Sequence, residues 1–158
     1  MAIGHANNEI GTIQDVPSLA AVARDAGVPL HVDAVQSAGW LPLSDLGADA
    51  IAVAGHKIGT PKGIGVLGVR GRVALEPLMH GGGQERGRRS GTENVAGAVA
   101  LATALELAEA ERDEVNARLS ASTGRFIEVV QSLVSQASLT GDPVAPVSYT
   151  HLTLPTKA

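Results

Sequence analysis

The sequence contains no cysteine, which excludes a disulfide framework and any thiolate metal site without assigning a compartment. Aromatic residues are scarce too, with Trp40, Phe126 and Tyr149 alone in 158 residues. A core built from Ala, Val, Leu and Ile packs thinly, so part of its apolar surface is expected to face another chain or a segment outside this one. Residues 1–5 run straight into an apolar strand end, as in a chain whose N-terminal part lies elsewhere. No apolar run reaches the length of a membrane span, and no basic region followed by an apolar run marks a signal peptide, so a cytoplasmic setting with no membrane contact is expected. The net charge of −4, with no basic tract, gives no reason to expect nucleic acid as a partner. His5, His31, His80 and His151 lack metal-ligand spacing, and no metal site is expected.

What is present suits one globular domain: hydrophobic residues make up 44% of the chain and charged residues 18%, enough for a core at this length. Asp15 and Pro17 open a helix whose apolar face is expected to hold Leu19, Val22, Ala23 and Ala26, with Gly27 as its stop. Residues 29–32 read as a short buried strand ending at Asp33. A second apolar run, 50–54, ends at Gly55, His56 and Lys57, and 63–69 alternates as a third strand, left through Arg70, Gly71 and Arg72. A glycine-rich loop covers 80–91. From 92 to 134 the pattern turns helical, with Ala98, Leu101, Ala102, Leu105 and Ala108 at helical spacing and a second helix expected to start near Ser120. Strands alternating with helices predict an α/β fold with a mainly parallel sheet, whose ligands bind at the carboxyl ends of strands.

Asp33 and Lys57 each follow an apolar strand, and the connection between them is long enough for a parallel crossover, which places both on one sheet edge. An amine beside a carboxylate at such an edge suits pyridoxal phosphate (PLP): its aldehyde needs an amine and its pyridinium nitrogen an anionic partner. The same pair also suits a plain surface ion pair.

The flanking residues carry more. The run His31-Val32-Asp33-Ala34-Val35-Gln36-Ser37, with Ala54-Gly55-His56-Lys57 and Pro61-Lys62-Gly63-Ile64-Gly65, resembles the cysteine desulfurases of the class-V aminotransferase family. Asn7-Asn8-Glu9-Ile10-Gly11 is similar to a motif these enzymes carry upstream. His80-Gly81-Gly82-Gly83-Gln84-Glu85-Arg86, continued by Arg89-Ser90-Gly91-Thr92-Glu93-Asn94, is similar to their most distinctive loop. The resemblance covers residues 3–143 and implies an incomplete three-layer aminotransferase-like (PLP fold type I) large domain over 1–143, leading into the helical connection to a small domain. Residues 147–158 resemble nothing in the family and are expected to be a non-native or divergent tail.

Residue by residue, the resemblance implies that Lys57 holds PLP as a Schiff base, Asp33 pairs with the pyridinium nitrogen, Asn8 and Gln36 address the phenolic oxygen, and His56 helps bind the phosphate. Thr92 corresponds to a residue that reaches the phosphate of a partner subunit's cofactor, which implies a homodimer. The implied reaction takes L-cysteine to L-alanine and passes sulfur to an enzyme cysteine, then to an acceptor or scaffold protein in iron–sulfur cluster or thio-cofactor assembly. Ala54 departs from the pattern, standing where the family commonly has a hydroxyl. The nucleophilic cysteine and the substrate-carboxylate arginine lie outside the matched segments, so this chain by itself is expected to be inactive. Selenocysteine lyase, or another PLP lyase or aminotransferase of this fold, is an alternative, as is a non-catalytic dimerisation or scaffold module. Taken singly, Asn8 and Gln36 could serve buried backbone groups, His56 could be a packed loop histidine, and Arg86, Arg88 and Arg89 a solvated face.

Overall fold

The computed structural model describes residues 1–71 and 73–140 together with the backbone of 152 and 153. Arg72, the Pro143 boundary, His151 and the tail over 147–158, apart from that two-residue backbone, lie outside the described residues. Strands β1 (Ala2–Gly4), β2 (His31–Asp33), β3 (Ala50–Ala54) and β4 (Gly65–Val69) form one sheet in that order. β1, β2 and β3 run parallel, whereas β4 returns antiparallel to β3. The expected α/β fold with a mainly parallel sheet is the one observed. The connection over 55–64 is shorter than the dozen or so residues a parallel crossover needs, which forces the reversal.

Helix α1 (Val16–Asp25) links β1 to β2. Its start follows from Asp15, whose Oδ1 accepts from the Ser18 amide at 3.2 Å and whose Oδ2 accepts from the Ser18 hydroxyl at 2.6 Å. Pro17 sits in the first turn, where no amide is needed. Gly27, at φ +67°, ends the segment in a conformation that favours glycine. The buried face is Val16, Ala20 and Ala23: of the expected face Ala23 is buried and Leu19 half-buried, whereas Val22 and Ala26 are exposed and are corrected. At about 100° per residue Val22 falls roughly 120° from Val16, and it is 65% exposed. Ala26 is the exposed C-cap beyond the last turn.

Ile3, Val32 and Ile51 share one row of the sheet and pack with Val16, Ala20, Ala23, Leu30 and Leu46. Val53, two residues along from Ile51 and so on the same face, packs with Ala34, Ala38, Ile58 and Leu105. Leu105 belongs to the long helix α2 (Val95–Leu133), so both helices cover one face. The opposite face carries Gly4, Asp33, Ala52, Ala54 and Leu67, all exposed or only half-buried. α2 is continuous over 39 residues, which corrects the expected second start near Ser120. The Ser122 hydroxyl donates to the Arg118 carbonyl at 3.0 Å, so the serine is satisfied inside the helix instead of ending it.

The glycine-rich stretch forms a hairpin of β5 (Gly83–Gln84) and β6 (Arg89–Ser90), a separate two-stranded unit. β7 (Ser138–Leu139) pairs with β8 (Leu152–Thr153). Among the described residues, no helix is long and apolar enough to cross a membrane.

Candidate active site

Parallel pairing brings the carboxyl ends of β1, β2 and β3 to one edge. The register matches Gly4 with Asp33 and Asp33 with Ala52, so the residues that follow each strand emerge side by side. β1 leads into a loop carrying Asn8, β2 ends on Asp33 and turns through Gln36, and β3 runs into a 3-10 turn, Gly55–Lys57, that carries His56 and Lys57. Asn8, Asp33, His56 and Lys57 are exposed and Gln36 is half-buried. Five of the six expected site residues thus lie at, or in the segments that follow, the carboxyl ends of β1, β2 and β3. Thr92 is exposed in the loop between the β5–β6 hairpin and α2.

Local bonding fixes each segment. One carboxylate oxygen of Asp33 accepts from the Val35 amide at 2.9 Å, which orients the side chain as the turn begins. Asn7 Oδ1 accepts from the Glu9 and Ile10 amides at 2.9 and 3.0 Å, while the Asn7 amide donates to the Thr12 carbonyl at 2.9 Å. That bonding folds 6–13 back on itself beneath Asn8. Gly55 is required by close packing, since a Cβ there would meet Thr60 Oγ1 and lie 2.8 Å from Ile64 Cγ2. Behind the turn, an open groove of about 570 Å³ runs between Trp40, Lys57 and Ile58 on one side and Thr103 and Leu107 of α2 on the other.

Sequence reasoning passed over two residues at this edge. His5 and Ser37 are both buried, and His5 Nδ1 lies 3.0 Å from Ser37 Oγ. The available signal was a histidine placed directly after a strand end, two residues before the Asn7-Asn8 pair. No group of three or more His, Cys, Asp or Glu able to hold a metal occurs among the described residues.

The family model for class-V aminotransferases matches residues 1–148. The chain belongs to the class-V aminotransferase family. An IscS-like cysteine desulfurase of Mycobacterium tuberculosis is 46% identical over 153 residues, covering 94% of this chain and 39% of that protein. Among solved structures, a NifS-like protein superposes with a TM-score of 0.87 at 36% identity, over 93% of this chain and 41% of its own. SspA in complex with cysteine superposes at 0.62 with 42% identity, over 66% of this chain and 31% of its own. This class-V chain therefore has the aminotransferase-like (PLP fold type I) large-domain fold, incomplete, and spans less than half the length of the relatives it matches.

Proposed function

We propose that residues 1–143 are the cofactor-binding part of the large domain of a PLP-dependent cysteine desulfurase, with 147–158 a tail outside that unit. The observation that carries this reading is the placement of Asp33 and Lys57 at the carboxyl ends of adjacent parallel strands, in a chain similar to enzymes named cysteine desulfurases. The donor set fits the cofactor: an amine for its aldehyde, a carboxylate for its ring nitrogen, amides for its phenolic oxygen and an imidazole for its phosphate. When bound, PLP supplies an electron sink for the bond broken at the substrate Cα.

The chain's own groups then have distinct tasks. Lys57 would provide the amine that fastens the cofactor and would move the proton at the substrate Cα. Asp33, oriented by the Val35 amide, keeps a proton on the ring nitrogen. Asn8 and Gln36 donate to the phenolic oxygen without adding charge, and His56 binds the phosphate. Thr92 would serve the phosphate of a partner subunit's cofactor, making the working unit a homodimer. L-cysteine is the proposed substrate, supported by the cysteine complex of SspA, with sulfur passed through an enzyme cysteine to an acceptor or scaffold protein in iron–sulfur cluster assembly. Because the chain contains no cysteine, that thiolate must come from outside these 158 residues. The same absence favours a second reading, a non-catalytic module that keeps the fold.

Borohydride reduction of the chain incubated with PLP, followed by peptide mapping, tests the assignment. Label fixed to Lys57 is the expected result. Label spread over Lys62 and other lysines with Lys57 unmarked would overturn it and leave the non-catalytic module.

A further inference from the structure

Among the described residues His5 is the only buried histidine, 5% exposed although it stands at an otherwise open edge. Its backbone ties two segments together. The His5 amide donates to the Asp33 carbonyl at 2.9 Å, and the His5 carbonyl accepts from the Gln14 amide at 2.9 Å. His5 and Gln14 are therefore the root of the self-braced loop that carries Asn8. The ring reaches the next segment, with Nδ1 3.0 Å from Oγ of fully buried Ser37. The Ser37 hydroxyl also lies 3.3 Å from the Ala34 carbonyl, so it either accepts from Nδ1 while donating to that carbonyl or donates to Nδ1, according to the ring tautomer. The Ser37 amide donates to the same carbonyl at 3.1 Å. The turn closed in this way runs from Ala34 to Ser37, directly after Asp33, and contains Gln36.

Loops at strand ends are mobile unless something fastens them. Here one buried side-chain bond, added to the backbone bond from His5 to Asp33, joins the Asn8 loop to the turn after Asp33 from beneath. We propose that the His5–Ser37 hydrogen bond sets these two segments in one fixed relation, making His5 a positioning residue for the cofactor ring. What the edge holds rests on the cofactor reading above, whereas the coupling of the two segments does not.

The test takes the 158-residue chain as wild type, Ser37→Ala, His5→Leu and His5→Gln. Amide hydrogen exchange is followed over 6–14 and 34–38, and PLP affinity and the visible absorption maximum of the bound cofactor are measured in parallel. Ser37→Ala and His5→Leu should speed exchange in both segments together and weaken PLP binding roughly three- to tenfold, the range expected for one lost hydrogen bond. The absorption maximum should shift with them. His5→Gln, whose side-chain amide can donate to Ser37 Oγ, should restore all three readouts, which a purely space-filling role for His5 would not produce. Should His5→Leu fail to fold, Ser37→Ala decides, because it removes only an oxygen. Unchanged exchange, or exchange raised in one segment alone, would overturn the coupling, and paired exchange with unaltered PLP affinity would overturn the positioning role. A wild-type chain that takes up no PLP at Lys57 would sink the functional reading, while paired exchange would still support the coupling.

Discussion

Burial holds the His5 imidazole below its ordinary pKa of 6.5, because charging a ring cut off from water is costly. In the unfolded chain the ring titrates normally. Above pH 6.5 both states are neutral and the folded state keeps its full stability; as the pH falls below that value the unfolded state gains the proton first, and stability is lost down to the depressed folded pKa. Urea midpoints measured from pH 7.5 down to about 5 should fall in the wild type, with this component missing from His5→Gln. Gly55→Ala tests a steric requirement at the same scale. Its Cβ would press on Thr60 and, at 2.8 and 3.1 Å, on two atoms of Ile64, so a loss of about 1–3 kcal/mol is expected in denaturant titration. Lys57, Asp33, Asn8, Gln36 and His56 were legible as motif residues beside apolar runs. His5 and Ser37 were not, because a lone histidine and a serine in a turn carry no signal until pairing of β1 with β2 brings them together.

Periodicity also located the secondary-structure elements better than their limits. The run 50–54 reads as a strand and is one, and the Asp15 cap with Gly27 as stop frames α1 as expected. The expected face of α1 was right at Ala23 but wrong at Val22, which looks like core by type, while Val16 and Ala20 complete the contact. A run of Ser120, Ser122 and Gly124 suggests a boundary in α2, yet no proline is present and the Ser122 hydroxyl finds its partner one turn back. The price of the continuous helix is Gly124, where an added Cβ meets nothing within 4 Å. Gly124→Ala should accordingly stabilise the chain by about 0.5–1 kcal/mol, seen as a higher denaturation midpoint. The other end of α2 gives the opposite sign: Asn94 Oδ1 accepts from the Gly97 amide at 2.9 Å, and Asn94→Ala should cost about 1 kcal/mol in the same measurement.

At the scale of the whole molecule, helices cover one sheet face, the other is largely open, and α2 exposes Phe126 (60%) and Leu133 (78%). The near absence of aromatic residues signals this in the sequence, although not which face is bare. A surface of that kind favours association, so sedimentation at micromolar concentration should show a dimer or larger species, and a compact monomer would argue against a shared site at Thr92. A second expectation concerns turnover. The proposed site holds groups for fastening the cofactor and for moving a proton at Cα, and both steps precede sulfur transfer. Transfer itself needs a polarizable thiolate to attack the substrate sulfur, and Ser or Thr hydroxyls cannot substitute at neutral pH. With no cysteine in the sequence, the 158-residue chain should release alanine and sulfide from L-cysteine, in the presence of reductant, no faster than PLP alone. A rate above that blank that disappears in Lys57→Ala would show that sulfur leaves without a protein thiolate. Activity that appears only when the chain is embedded in a longer polypeptide bearing a reactive cysteine would place the missing nucleophile where the chemistry requires it.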